Sequence, residues 1–220
     1  MDSAIIFLEI ALINVLLSGD NAIVIAMASR QLPAKQRKAA IWWGTFAAVG
    51  LRCALTVVAL QLLQVPYLQA AGAILLLMIA VKLLIDSGGD ADAHVKSKKT
   101  VTLAGAVWTI VTADFIMSLD NVLAIAAVAE GDIVLILLGI ALSIPMIVWG
   151  SQALGKLLSK FPALSYIGAA LLAYAAGEML MKDPGLNAAV FHGNHTLSEL
   201  IPMLCIPLVI ILAVLRKRAD

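Results

Sequence analysis

Seven long apolar runs divide the chain, near residues 4–28, 39–63, 67–86, 103–129, 133–153, 163–181 and 199–215. Each is close to the roughly 20 residues that a helix needs to cross ~30 Å of hydrocarbon. The runs are continuous rather than alternating, which points to helices and not to the strands of a barrel. The expected fold is all-α: a polytopic membrane protein of seven transmembrane helices. Asp2 stands where a cleaved signal carries a basic flank, so the first run reads as a retained span.

Composition narrows the function. Of the 220 residues 62% are hydrophobic and 13% charged, against about 45–50% and about 25% in soluble domains. One soluble core could not bury so much apolar surface. That excludes a soluble enzyme and a nucleic-acid binder. Cys53 and Cys205 lie inside apolar runs and read as buried structural thiols. No Walker A, HExxH or GxSxG pattern occurs, so enzymatic chemistry is not expected.

The net charge of +1 matters less than where the charges fall. Arg30, Lys35, Arg37 and Lys38 follow the first run, and Lys96, Lys98 and Lys99 the third. Lys156 and Lys160 follow the fifth, and Arg216, Lys217 and Arg218 the seventh. Seven spans put all of these on one side. The positive-inside rule then predicts an outside N-terminus and a cytoplasmic C-terminus in the cell membrane, the inner membrane where there are two.

The chain also repeats itself. Asn14, Ser18, Asp20, Asn21, Ile25 and Ala26 align with Asp114, Ser118, Asp120, Asn121, Ile125 and Ala126 at an offset of 100 residues. Pro66 and Gly72, at the start of the third run, align with Pro162 and Gly168, at the start of the sixth. Three spans per copy force the second copy to enter the membrane from the other side, an inverted-topology repeat. The expected organisation is a first three-helix repeat over 1–86, a cytoplasmic linker over 87–102 and an inverted second repeat over 103–182. An extracytoplasmic loop over 183–198 leads to a seventh helix with a basic cytoplasmic tail, 199–220. Gly44, Gly50, Gly72 and Gly168 read as close helix contacts.

Ionisable residues at membrane depth cost roughly 2.5–3.5 kcal/mol each on insertion scales, so their default reading is functional. Glu9, Asp20, Asp114, Asp120 and Glu178 are acidic; Arg52 is basic and reads as a countercharge to Glu9 or Asp20. Helical spacing puts Asn14, Ser18 and Asn21 on one stripe, and Asp114, Ser118 and Asn121 on its counterpart. Asp20 and Asp120 stand about 100° from those stripes. Local unwinding at Ser18-Gly19-Asp20 would let carboxylate and amide converge. Asn14, Ser18, Asn21 and Ser118 read equally well as interhelical hydrogen-bonding groups. Glu178 is either an exit ligand or merely interfacial. His192 and His195 read as part of a solvated loop.

Carboxylate, amide and hydroxyl oxygens suit hard cations of the Mg, Ca and Mn class. Two facing aspartates would be neutralised by a divalent ion, or by a proton in its absence, which suggests proton–metal exchange. The expected metal shell is Asp20 and Asp120 with Asn21, Asn121, Asp114 and Glu9. No cofactor is expected; the metal is transported substrate. The other partner is membrane lipid, with homo-oligomerisation left open.

The run Ser18-Gly19-Asp20-Asn21-Ala22 and its echo Ser118-Leu119-Asp120-Asn121-Val122 resemble the TerC family of integral membrane proteins, within the lysine-exporter-like superfamily. The resemblance covers nearly the whole chain, and the size is similar to the short bacterial branch associated with a manganese-sensing riboswitch. It implies Mn²⁺ efflux from the cytoplasm, with Asp20, Asn21, Asp120 and Asn121 as the family's motif residues. Asp114 also fits that pattern, whereas Asn14 stands where a symmetric site would have a carboxylate. Two other readings stay open: an exporter of a small organic cation such as a basic amino acid, and a non-transporting scaffold of a metal- or tellurium-stress complex.

Overall fold

The computed structural model describes residues 19–62, 65–87, 102–128, 133–191 and 195–219. At 56–62, 119–128, 133–137, 139, 142, 195–198, 218 and 219 it describes the backbone only. Every regular element among them is helical: α1 (Gly19–Ser29), α2 (Ala34–Leu62), α3 (Leu68–Ser87), α4 (Leu103–Val128), α5 (Ile133–Lys160), α6 (Leu164–Lys182) and α7 (His195–Ala219). A single turn at Pro184–Leu186 and a π-helical turn at Asn187–Phe191 lead from α6 toward α7.

The sequence dictates most of these boundaries. Pro33, Pro66, Pro162 and Pro184 each stand at or just before a helix start, where a missing N–H costs nothing. Helix α2 begins ahead of its apolar run and α5 continues to Lys160 past the end of its own, because Lys and Arg sustain a helix beyond the apolar stretch. Among the described residues, Leu68–Ser87, Leu164–Lys182 and Glu199–Lys217 are long and apolar enough to cross a membrane. The chain is an all-α integral membrane protein.

Two polar clasps reveal how the helices run. Arg30, just past α1, donates through Nη1 to the Ser87 carbonyl (3.3 Å) and to Ser165 Oγ (3.0 Å). The C-termini of α1 and α3 and the N-terminus of α6 therefore share one end of the bundle. At the other end Asp183, just past α6, accepts the backbone N–H groups of Tyr67 (3.1 Å) and Ala70 (3.1 Å) at the start of α3. Thus α3 and α6 lie side by side and antiparallel. Leu32, Ala40 and Ala106 form a small buried cluster that brings the starts of α2 and α4 to the Arg30 end. Helix α4 is accordingly antiparallel to α1.

Packing follows a simple exchange. Helix α2 packs on α4 and α5 packs on α1, while α3 packs on α6. Swapping α1 with α4, α2 with α5 and α3 with α6 turns the first pair into the second and the third into itself. Helix α7 lies outside this scheme, against α6 and α3. Alanines make the α3–α6 approach close: Ala73, Ala80, Ala169, Ala173 and Ala176 are all fully buried. Gly72 faces Ile116 and Met179, and Gly168 faces Ile23 and Met27. Gly44 lies against Ile110, but nothing described lies within 4 Å of where a Cβ on Gly50 would sit. Among the described residues, then, Gly50 shows no close helix contact of the kind expected there, and Gly44, Gly72 and Gly168 do.

Candidate functional site

A buried polar cluster joins α2 to α4. Asp114 and Ser118 are one helical turn apart on α4, so their side chains share a face. Ser118 Oγ donates to Asp114 Oδ2 at 3.1 Å. From α2, Arg52 donates through Nε to Ser118 Oγ (2.8 Å) and through Nη2 to Asp114 Oδ1 (2.5 Å). Arg52 is 1% exposed, Asp114 7% and Ser118 0%. The three form a closed triangle in which one guanidinium spans a carboxylate and the hydroxyl that also serves that carboxylate. Charge-assisted bonds of this kind offset part of the desolvation cost of burying both ions.

Helix α1 supplies the facing wall. Asn21 is buried and lines, with Val24, Ile25, Ile110 and Asp114, a crevice narrower than a water molecule in this conformation. Asp20 precedes it, half-buried, and its Oδ1 accepts the backbone N–H of Asn21 at 2.7 Å. Asp20 lies close enough to feel the charges of both Arg52 and Asp114.

The structure thus gathers Asp20, Asn21, Asp114, Ser118 and Arg52 at the α1–α2–α4 junction. Arg52 forms an ion pair with Asp114, because α2 and α4 run parallel and put residues 52 and 114 at matching depth; the expected countercharge role toward Glu9 lies outside the described residues. Glu178 lies elsewhere, on α6, where it pairs with Lys182 at 3.8 Å on a half-exposed surface one turn from the helix end. Glu9, Asn14, Ser18 and His192 lie outside the described residues. Asp120, Asn121 and His195 lie on described helices, but their side chains do not. Helix α4 runs unbroken through Ser118-Leu119-Asp120, and the proposed unwinding at Ser18 reaches outside the described residues.

Among the described residues no group of three or more His, Cys, Asp or Glu side chains is placed to hold a metal ion. The junction instead offers two carboxylates, an amide and a hydroxyl, with Arg52 engaged on one of the acids. Cys53 and Cys205 are free thiols.

Sequence reasoning missed the two clasps. Arg30 was legible only as a topogenic charge, and Asp183 only as the first residue of a loop. Asp183-Pro184 is a helix-start signature, and the Asp183 side chain does accept the N–H of Leu186 at 2.9 Å. Its bonds to α3 had no counterpart in the pattern, since they depend on which helix lies alongside.

Comparison with known proteins gives a consistent picture. The family described as "Integral membrane protein TerC family" matches residues 1–220. The chain is 44% identical over 220 residues to the "Uncharacterized membrane protein YjbE" of Bacillus subtilis (strain 168), covering 100% of this chain and 98% of the other. It is 30% identical over 170 residues to the "Uncharacterized membrane protein YceF" of the same organism, covering 74% of this chain and 66% of that one. No solved structure matches the chain.

Proposed function

The chain belongs to the TerC family of integral membrane proteins, and from that premise we propose that it is a secondary transporter exporting divalent metal ions, Mn²⁺ first, from the cytoplasm. The observation that carries this reading is the buried meeting of Asn21 on α1 with Asp114 on α4 across one crevice, with Asp20 accepting the Asn21 backbone N–H. Carboxylate and amide oxygens without sulfur or imidazole favour a hard cation. In this proposal Asp20 and Asp120 bind the ion, Asn21, Asn121, Asp114 and Glu9 complete the shell, and protons move in exchange.

The packing exchange between α1–α3 and α4–α6 supports an inverted repeat, the architecture in which transporters place their sites between copies. The residues at the Arg30 end support an orientation. Arg30, Lys35 and Arg37 sit there with the start of α2, and Lys160 at the end of α5 adjoins the start of α6. The reading places that end in the cytoplasm of a cell whose inner or plasma membrane holds the protein.

The test is Mn²⁺ flux in proteoliposomes carrying wild type or Asp120→Asn, with and without an imposed pH gradient. Flux that vanishes in the variant is the expected result, and acceleration by the gradient identifies protons as the exchanged ion. Absence of flux in folded wild type overturns the reading and favours the scaffold; a variant that transports like wild type overturns the site.

A further inference from the structure

Arg52 brings a guanidinium, a positive charge with a planar fork of N–H donors, into the interior of the bundle. It is also one of the most deeply buried side chains described, and it spends that charge on Asp114. The carboxylate it holds is the one that lines the crevice with Asn21. A carrier whose cargo is a cation held by carboxylates has a difficulty on the return step. With the ion released, its carboxylates must reorient through a low-dielectric interior; exchanged protons neutralise some of them, and any that stays ionised needs a countercharge from the protein itself.

We infer that Arg52 is a tethered stand-in for the cargo: it neutralises Asp114 when no metal is bound and steps aside when one is. This rests on the transport reading above. The two-armed attachment fits the task. Nη2 holds Asp114 Oδ1, while Nε holds Ser118 Oγ one turn further along α4. When a metal takes Asp114, the Nη2 contact is released and the Nε contact keeps the guanidinium docked beside the site, ready to return. Ser118, which donates to the second Asp114 oxygen, keeps that carboxylate oriented in both situations. Asn21, across the crevice, is then the partner that the ion gains when α1 and α4 part.

The inference separates two kinds of transport. Exchange of Mn²⁺ for Mn²⁺ needs only the loaded carrier to reorient; net efflux also needs the empty one to return. The full chain is reconstituted in liposomes loaded with radiolabelled Mn²⁺, without a pH gradient, and diluted into buffer lacking or containing unlabelled Mn²⁺. In Arg52→Gln, net efflux is expected to fall by about a hundredfold, the factor implied by a lone carboxylate at membrane depth, while exchange stays within about twofold of wild type. Arg52→Lys keeps the charge and retains both modes to within about tenfold.

Arg52→Gln that exports like wild type overturns the inference. So does a folded Arg52→Gln that loses exchange together with efflux, since a merely structural or ligand-positioning Arg52 would affect both alike. If Arg52→Gln does not reach the membrane, Arg52→Lys decides: loss of net efflux in that variant overturns it. Wild type without flux in either mode overturns the transport reading itself, and this inference with it.

Discussion

Asp183 holds Tyr67 by its backbone: Oδ1 accepts the Tyr67 N–H at 3.1 Å, and Tyr67 has a φ of 64° that a residue with a Cβ rarely adopts. The same carboxylate takes the N–H groups of Ala70 and Leu186, and the Tyr67 ring lies over Gly185, where a Cβ would collide with it. One fully buried side chain thus joins the start of α3, the end of α6 and the turn that follows.

Asp183→Ala removes an acceptor from three N–H groups, that of Ala70 buried and those of Tyr67 and Leu186 part-buried. A buried orphaned donor costs about 1–3 kcal/mol and one that water reaches costs less, so the loss is expected to be about 1–3 kcal/mol. Asp183→Asn keeps one acceptor oxygen and should lose less than the alanine variant. Thermal unfolding of the purified proteins in detergent checks the order wild type, asparagine, alanine; equal midpoints for wild type and Asp183→Ala would refute the clasp.

The same carboxylate sets an acid limit. Burial alone pushes the Asp183 carboxyl up, but the N–H groups of Leu186, Ala70, Tyr67 and Gly185 together outweigh it and hold its pKa below the ordinary 3.8. A lowered folded-state pKa means that the unfolded chain binds the proton more readily. The stabilisation is therefore complete above about pH 4 and is lost as the pH falls from there toward the folded-state pKa. Wild type should show a falling unfolding midpoint below about pH 4, and Asp183→Asn a shallower fall, because its side chain does not titrate. Parallel slopes in the two proteins would contradict this account.

Gly177 and Gly50 make a paired test of helix contact. A Cβ on Gly177 would run into the backbone of Pro202 on α7, whereas nothing described lies near the corresponding point on Gly50. Gly177→Ala should destabilise by about 1–3 kcal/mol through forced separation of α6 and α7. Gly50→Ala should be neutral, or stabilising by up to about 1 kcal/mol through helix propensity. A reversal of the two effects in detergent unfolding would show that α6 and α7 do not pack as described.

These contrasts show which parts of the molecule are legible in a linear pattern. Helix ranges were, because apolar runs and the prolines at 33, 66 and 162 are local signals. The repeat is a pattern of the sequence, where Ser, Asp and Asn recur at fixed spacing in 18–21 and 118–121, and the exchange of helix pairs in the packing agrees with it. The pairing of Arg52 with Asp114 was not legible, because it depends on α2 running parallel to α4 and meeting Asp114 there. Arg30 and Asp183 escaped for the same reason: an end-of-helix polar residue reads as solvated unless the neighbouring helix end is known. Gly50 and Gly72 look alike in sequence, and only the position of Ile116 and Met179 separates them.

The Arg52–Asp114 pair finally predicts a non-additive pattern of stability. Asp114→Leu alone removes the carboxylate that the buried Arg52 guanidinium holds, and a broken buried pair costs about 3–5 kcal/mol. Arg52→Met alone leaves the carboxylate stranded at similar cost. The double variant removes both charges and fills the space with apolar atoms, while Ser118 can turn its hydroxyl back to the carbonyl one turn earlier on α4. Its stability should lie within about 1 kcal/mol of wild type, far above either single variant, because burying the intact pair gains little over an apolar replacement. The fraction of folded protein recovered from membranes and the unfolding midpoint in detergent measure this. A double variant as unstable as the sum of the singles would mean that the two residues act through other partners.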